Sequence, residues 1–98
     1  MNSFREKTIE QALTKAVKSY GGIAVKLVSP GFVGMPDRLI LLPDGRLGFV
    51  EVKAPGKKPR AIQEVRHKQL RQLGFKVYVL DNSQQIPEII REIGGDVI

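Results

Sequence analysis

The 98-residue chain has no cysteine, no tryptophan and a single histidine, His67, and each scarcity removes a class of chemistry. Without cysteine there is no disulfide framework, no thiolate zinc site and no cysteine nucleophile. One histidine does not make a histidine metal cluster, so any metal must sit on carboxylates. No apolar run approaches the roughly 18 residues of a membrane span, and the opening MNSFREKTIEQ alternates charged with apolar residues where a secretory signal would hold an apolar block. A soluble, cytoplasmic protein without membrane contact is expected. Walker-type glycine loops, dinucleotide-binding patterns and Ser/His/Asp sets are also missing, which argues against a nucleotide cofactor. What is present, 42% hydrophobic and 27% charged residues, suits one compact unit over residues 1–98. A chain this short buries only roughly 60–65% of its unfolded surface, so a second subunit would add much, and a homodimer is expected.

Charge is unevenly placed. Sixteen Lys and Arg against ten Asp and Glu give +6, and the stretch from Lys53 to Arg71 carries that whole excess. Lys53, Lys57, Lys58, Arg60, Arg66, Lys68 and Arg71 fall there with one acid, Glu64. Such a local patch attracts phosphate, although a solvated basic face without ligand has the same composition.

The order read along the chain is α-β-β-β-α-β-α. Residues 3–20 have Ile9, Leu13, Ala16, Val17 and Tyr20 at helical spacing, with Ser3 and Glu6 as a capping box and Gly21-Gly22 as the stop. A strand over 23–28 precedes the breaker-rich loop 29–36. Strands 38–42 and 47–53 then form a hairpin about Pro43-Asp44-Gly45-Arg46. Two prolines and a glycine make 54–59 a basic loop. A helix over 60–73 is expected to turn Ile62, Val65, Leu70 and Leu73 inward, with Arg66, Lys68 and Arg71 on its other side. Phe75 to Leu80 reads as a core strand, and a last helix after Asp81-Asn82-Ser83 turns Ile86, Ile89, Ile90 and Ile93 inward. This predicts an α/β fold, a mixed sheet flanked by helices, with a right-handed crossover through the second helix.

Pro36-Asp37 opens the hairpin and Glu51-Val52-Lys53 closes it. Residues two apart on a strand share a face, so Glu51 and Lys53 point the same way. Folding about the turn brings Asp37 to the same end of the sheet. A pairing sum of 88 sets it across from Glu51 and a sum of 89 across from Val52, and the sequence leaves both parities open. Two neighbouring carboxylates suit a hard divalent cation such as Mg²⁺ or Mn²⁺, which acidifies water and neutralises phosphate charge. Lys53 could orient that water or stabilise the pentacovalent phosphorus. The bland alternative is a surface ion pair of Glu51 with Lys53 and a loop-capping Asp37.

The string Gly34-Met35-Pro36-Asp37-Arg38, then Glu51-Val52-Lys53-Ala54-Pro55-Gly56, then Gln63, resembles the VRR-Nuc (virus-type replication-repair nuclease) family of the PD-(D/E)XK superfamily, over nearly the whole chain. The resemblance implies a restriction-endonuclease-like core in which Asp37, Glu51 and the backbone carbonyl of Val52 hold Mg²⁺ or Mn²⁺ and Lys53 is the catalytic lysine. It further implies that Glu10, through water, and Gln63 support the metal site. Glu6, one turn from Glu10, competes for that role. Lys57, Lys58, Arg60, Arg66, Lys68 and Arg71 would follow the nucleic-acid backbone. Arg38 is either an ion-pair partner or a phosphate ligand, and His67 a phosphate contact or a bystander outside the catalytic set. Phe32, Val33 and Met35 are interface, lid or wedge.

The expected activity is therefore metal-dependent endonucleolytic cleavage of DNA. Family and two-fold symmetry together favour branched substrates such as Holliday junctions, cut by a homodimer, in the host cytoplasm if the chain is viral. The rivals are a flap or linear-duplex nuclease and a nucleic-acid-binding module without chemistry.

Overall fold

In a computed structural model, residues 3–94 are described. Helix α1 (Ser3–Ser19) is followed by strands β1 (Ile23–Lys26), β2 (Arg38–Leu42) and β3 (Arg46–Val52), helix α2 (Ala61–Gln72), strand β4 (Val77–Leu80) and helix α3 (Ile86–Ile93), with short 3₁₀ turns at Pro43–Gly45 and Ser83–Gln85. The element order is the one expected. The Ser3 side chain, expected to cap α1, lies outside the described residues. No described helix is long and apolar enough to cross a membrane.

The four strands lie in sequence order. β1, β2 and β3 are antiparallel, and β4 joins β3 in parallel through the crossover that contains α2. The hairpin is tight because Asp44 and Gly45 both take positive φ, 66° and 71°, which suits the strand twist.

One face of the sheet carries the core. Ile40 and Leu42 of β2 and Val50 and Val52 of β3 pack against Ile9, Leu13 and Val17 of α1 and Ile86, Ile89, Ile90 and Ile93 of α3. Gly48 belongs to this face, and a Cβ there would meet the Ile93 side chain at 2.8 Å, so its lack of a side chain lets α3 seat on β3. The alternate residues, Asp37, Phe49, Glu51 and Lys53, face the other way, toward α2.

Here the expected inward side of α2 is corrected. Ile62, Val65 and Leu73 are 38%, 54% and 73% exposed, whereas Gln63, His67 and Leu70 are buried. The helix lies over a polar cleft instead of the apolar core, so its inward stripe is set by what Glu51 needs. Phe75, expected within a core strand, precedes β4 and is also exposed. It stacks edge-on against Phe49 with ring centroids 5.9 Å apart. β4 is an edge of the described sheet and not a central strand.

Candidate active site

The hairpin register decides what Asp37 can reach. Arg38 pairs with Val50, a sum of 88, and one further step places Asp37 across from Glu51 on the same face. The pairing ladder ends there, and the Asp37 side chain replaces it: Val52 N–H donates to Asp37 Oδ2 at 2.9 Å. On the other side Leu27 N–H donates to the Asp37 carbonyl at 2.7 Å, which ties the loop back to β1. Pro36, fully buried, fixes the entry to this turn.

Glu51 sits at the centre with 1% of its surface exposed. Its Oε2 accepts a hydrogen bond from Gln63 Nε2 at 2.9 Å and lies 3.5 Å from Lys53 Nζ. The same Gln63 amide accepts from Arg60 N–H through Oε1 at 2.8 Å, so one side chain links the start of α2 to the carboxylate. Glu51 Oε1 has no hydrogen-bond partner. It lies 3.7 Å from His67 Nε2, itself buried and without a partner. Burial first, and the neighbouring Asp37 carboxylate second, push the Glu51 carboxyl up to about 7, against a smaller opposite pull from Lys53. His67 is held below its usual value by burial and by the positive charges of Arg71 and Lys53, which favours neutral imidazole.

Asp37, Glu51, Lys53 and Gln63 therefore converge in one cleft, with His67 as a fifth member that the sequence reading had left aside. The available signal was its spacing: four residues after Gln63 puts it one turn along the same helical side. Glu10 is held by Arg38, the residue next to Asp37. Glu10 Oε2 accepts a hydrogen bond from Arg38 Nε at 3.2 Å and lies 3.0 Å from Arg38 Nη2 in an ion pair, while Arg38 Nη1 donates to the Ala24 carbonyl at 3.0 Å. Arg38 alternates with Asp37 and projects to the α1 face, where it is an ion-pair partner of Glu10.

The basic residues also divide. Lys57, Lys58, Arg60 and Lys68 are exposed. Arg66 is engaged within the chain, its guanidinium 3.7 Å over the Phe32 ring and its Nε donating to the Val33 carbonyl, which pins the loop before Asp37 to α2. Arg71 donates to the Val77 carbonyl.

Could these groups hold a cation? Among the described residues no three His, Cys, Asp or Glu side chains converge as a ready-made metal centre. Two carboxylates do, one with a buried, unpartnered oxygen and a raised pKa, and a Mg²⁺-type ion needs no more than one or two. The donor set fits. Asp37 and Glu51 brought together by the hairpin, Lys53 just after its closing strand and Gln63 from the crossover helix are the donors that the sequence resemblance leads one to expect together.

Comparison with known proteins agrees. The chain is 50% identical over 90 residues to "Putative nuclease p44" of Acyrthosiphon pisum secondary endosymbiont phage 1, covering 92% of this chain and 96% of that protein. A solved VRR-Nuc domain superposes with a TM-score of 0.83 at 32% identity, covering 89% of this chain and 95% of that one. No family-wide sequence profile matches. The chain belongs to the VRR-Nuc family of nucleases.

Proposed function

We propose that the protein is a divalent-metal-dependent DNA endonuclease selective for branched DNA such as Holliday junctions, acting as a homodimer. The observation that carries this reading is the burial of Glu51 beside Asp37, with Lys53 and Gln63 on its Oε2. A buried carboxylate beside a second, half-buried one is costly unless a cation joins them.

Asp37 and Glu51 would hold Mg²⁺ or Mn²⁺. The Val52 carbonyl suits a third position, because an extended residue points its N–H and C=O to the same side and the Val52 N–H points at Asp37. Such an ion, when bound, supplies Lewis acidity toward water and a phosphate oxygen. Lys53, 17% exposed, brings a positive charge to the mouth of the cleft where a scissile phosphate would approach. Gln63 holds the Glu51 carboxylate in place, and Lys57, Lys58, Arg60 and Lys68 contribute phosphate attraction.

The dimer is supported by an apolar sheet surface. Ile23 and Val25 of β1, Leu39 and Leu41 of β2, and Leu47 and Phe49 of β3 lie in two registered rows on the face away from α1, with Ile23 63%, Val25 36% and Leu47 37% exposed. Two sites related by a two-fold axis match the two cuts that a near-symmetric junction requires.

The test is cleavage of matched four-way junction, flap and linear duplex by wild type, Lys53→Ala and Glu51→Gln, each with Mg²⁺, Mn²⁺ or EDTA. Junction cutting that needs metal and falls at least about 100-fold in both variants, with DNA binding retained, is expected. Equal cutting of all three substrates would discard the selectivity and keep the chemistry. DNA bound but nowhere cut would make the chain a binding module.

A further inference from the structure

A groove of about 510 Å³ runs along α1, apart from Glu51. Lys7, Lys15 and Lys18 line it with Gln11 and Thr14, and the Glu10–Arg38 pair closes one side. At about 100° of rotation per residue these positions form one stripe pointing away from Ile9, Leu13 and Val17, the residues that α1 buries. Of the two acids of the helix, Glu10 lies at the flank of that stripe and Glu6 is turned off it, toward the side of Leu13 and Val17. Glu10 is neutralised by Arg38, while among the described residues no carboxylate pairs with any of the three lysines. Counting charge along the chain understates this, because Glu6 and Glu10 offset part of the helix's positive charge in number but not in space.

We infer that this outward stripe of α1 is a second phosphate-binding surface, which holds the DNA backbone on the face of the sheet opposite the Glu51 cleft. The inference rests on the DNA-nuclease reading above. Every lining side chain ends in a charged or polar group, although the aliphatic stems supply most of the exposed surface, and no aromatic or aliphatic residue stands there as a wedge for a lipid surface. Its length fits a polymer: Lys7 to Lys18 spans about 16 Å of helix, comparable to some four or five phosphates along one strand. The stripe starts close to the cleft, because Arg38, which borders it, is adjacent to Asp37.

The placement bears on substrate shape. The molecule is 20 Å across its shortest axis, and the two cationic surfaces lie on opposite sides of the sheet. One straight duplex lying on the α2 side does not reach the α1 stripe. Arms diverging from a branch point, or a sharply bent duplex, do.

The test is the salt dependence of binding to a four-way junction between about 50 and 200 mM KCl, with EDTA to prevent cleavage. Wild type is compared with Lys7→Gln/Lys15→Gln/Lys18→Gln and with Arg46→Gln/Lys76→Gln, which removes charge from the turn-side end of the sheet. Each lost phosphate contact lowers the log–log slope by about 1, so the α1 variant should lose about 3 and bind at least about tenfold more weakly at the low-salt end, with the control near wild type. All five positions are exposed, and an unchanged melting temperature confirms the fold. A slope for the α1 variant equal to that of wild type or of the control overturns the inference while leaving cleavage and its Lys53 dependence untouched. Failure of wild type to bind DNA at all overturns both readings.

Discussion

At the scale of single residues the site is governed by Glu51. Its carboxyl is raised from 4.5 to about 7 because burial and Asp37 both disfavour its charge. The folded state thus holds the proton more tightly than the unfolded chain does. That contribution to stability is complete below about 4.5 and is lost as pH rises toward about 7, by an amount on the order of 3 kcal/mol. We predict that metal-free wild type loses melting temperature relative to Glu51→Gln between pH 5 and pH 8. We further predict that Mg²⁺ or Mn²⁺ at pH 8 restores wild type more than the variant, since a cation that binds only the folded state stabilises it. A wild-type-minus-variant difference that stays flat with pH would show that Glu51 is not charged at a cost. His67 belongs to the same balance, a neutral ring whose Nε2 faces the unpartnered Oε1 and adds no charge to the cleft. It was not legible from the sequence because one histidine in a basic helix has many surface explanations, whereas Asp37, Glu51 and Lys53 stood out through their spacing about one turn.

At the scale of elements, the loop 29–36 must be held against α2 for Asp37 to reach Val52 N–H. Gly34 makes this possible. It takes φ +91°, and a Cβ there would fall 2.7 Å from the Ile62 carbonyl, a backbone atom with little room to move. We predict that Gly34→Ala costs about 2–3 kcal/mol and lowers cleavage at least about tenfold, as measured by denaturant melts and single-turnover rates. Gly31→Ala, three residues earlier with nothing within 4 Å of its Cβ, should change neither. If both variants behave alike, the close packing at Gly34 is not what positions Asp37. Element order and hairpin were readable because turn residues and strand alternation are local signals. The parity of the hairpin was not, since a sum of 88 or 89 keeps the same composition on each strand and is chosen by the three-residue turn. The facing of α2 was misread for a related reason. Hydrophobic periodicity locates an apolar core, and this helix instead turns Gln63 and His67 toward a buried carboxylate while Ile62, Val65 and Leu73 stay outside.

At the scale of the whole molecule, two of the apolar surfaces left exposed among the described residues differ in charge, and that difference distinguishes their uses. The one around α2, with Val65 and Leu73, is interrupted by Glu64 and Lys68 and adjoins the cleft. The sheet surface of Ile23, Val25, Leu39, Leu41, Leu47 and Phe49 contains no charged side chain. Its first row sets Ile23, Leu41 and Leu47 side by side across three strands. Charge depletion at the centre of a patch is what marks subunit interfaces. A lysine placed at each end of that row would have to be desolvated in a dimer but stays in water in a monomer, where Ile23 and Leu47 are already open. We predict that wild type sediments as a dimer and that Ile23→Lys/Leu47→Lys sediments as a monomer, with its melting temperature at low concentration little changed. On a four-way junction the monomer should still nick single strands through its own Asp37, Glu51 and Lys53. It should lose the paired cuts that release two linear duplexes, because coupling the second cut to the first requires a second site held on the same junction. Monomeric wild type with junction bound, or a double-lysine variant that remains dimeric, would rule out this surface as the interface. Paired cutting by a proven monomer would remove symmetry from the account of substrate choice and leave the two phosphate-binding faces of one chain to explain it.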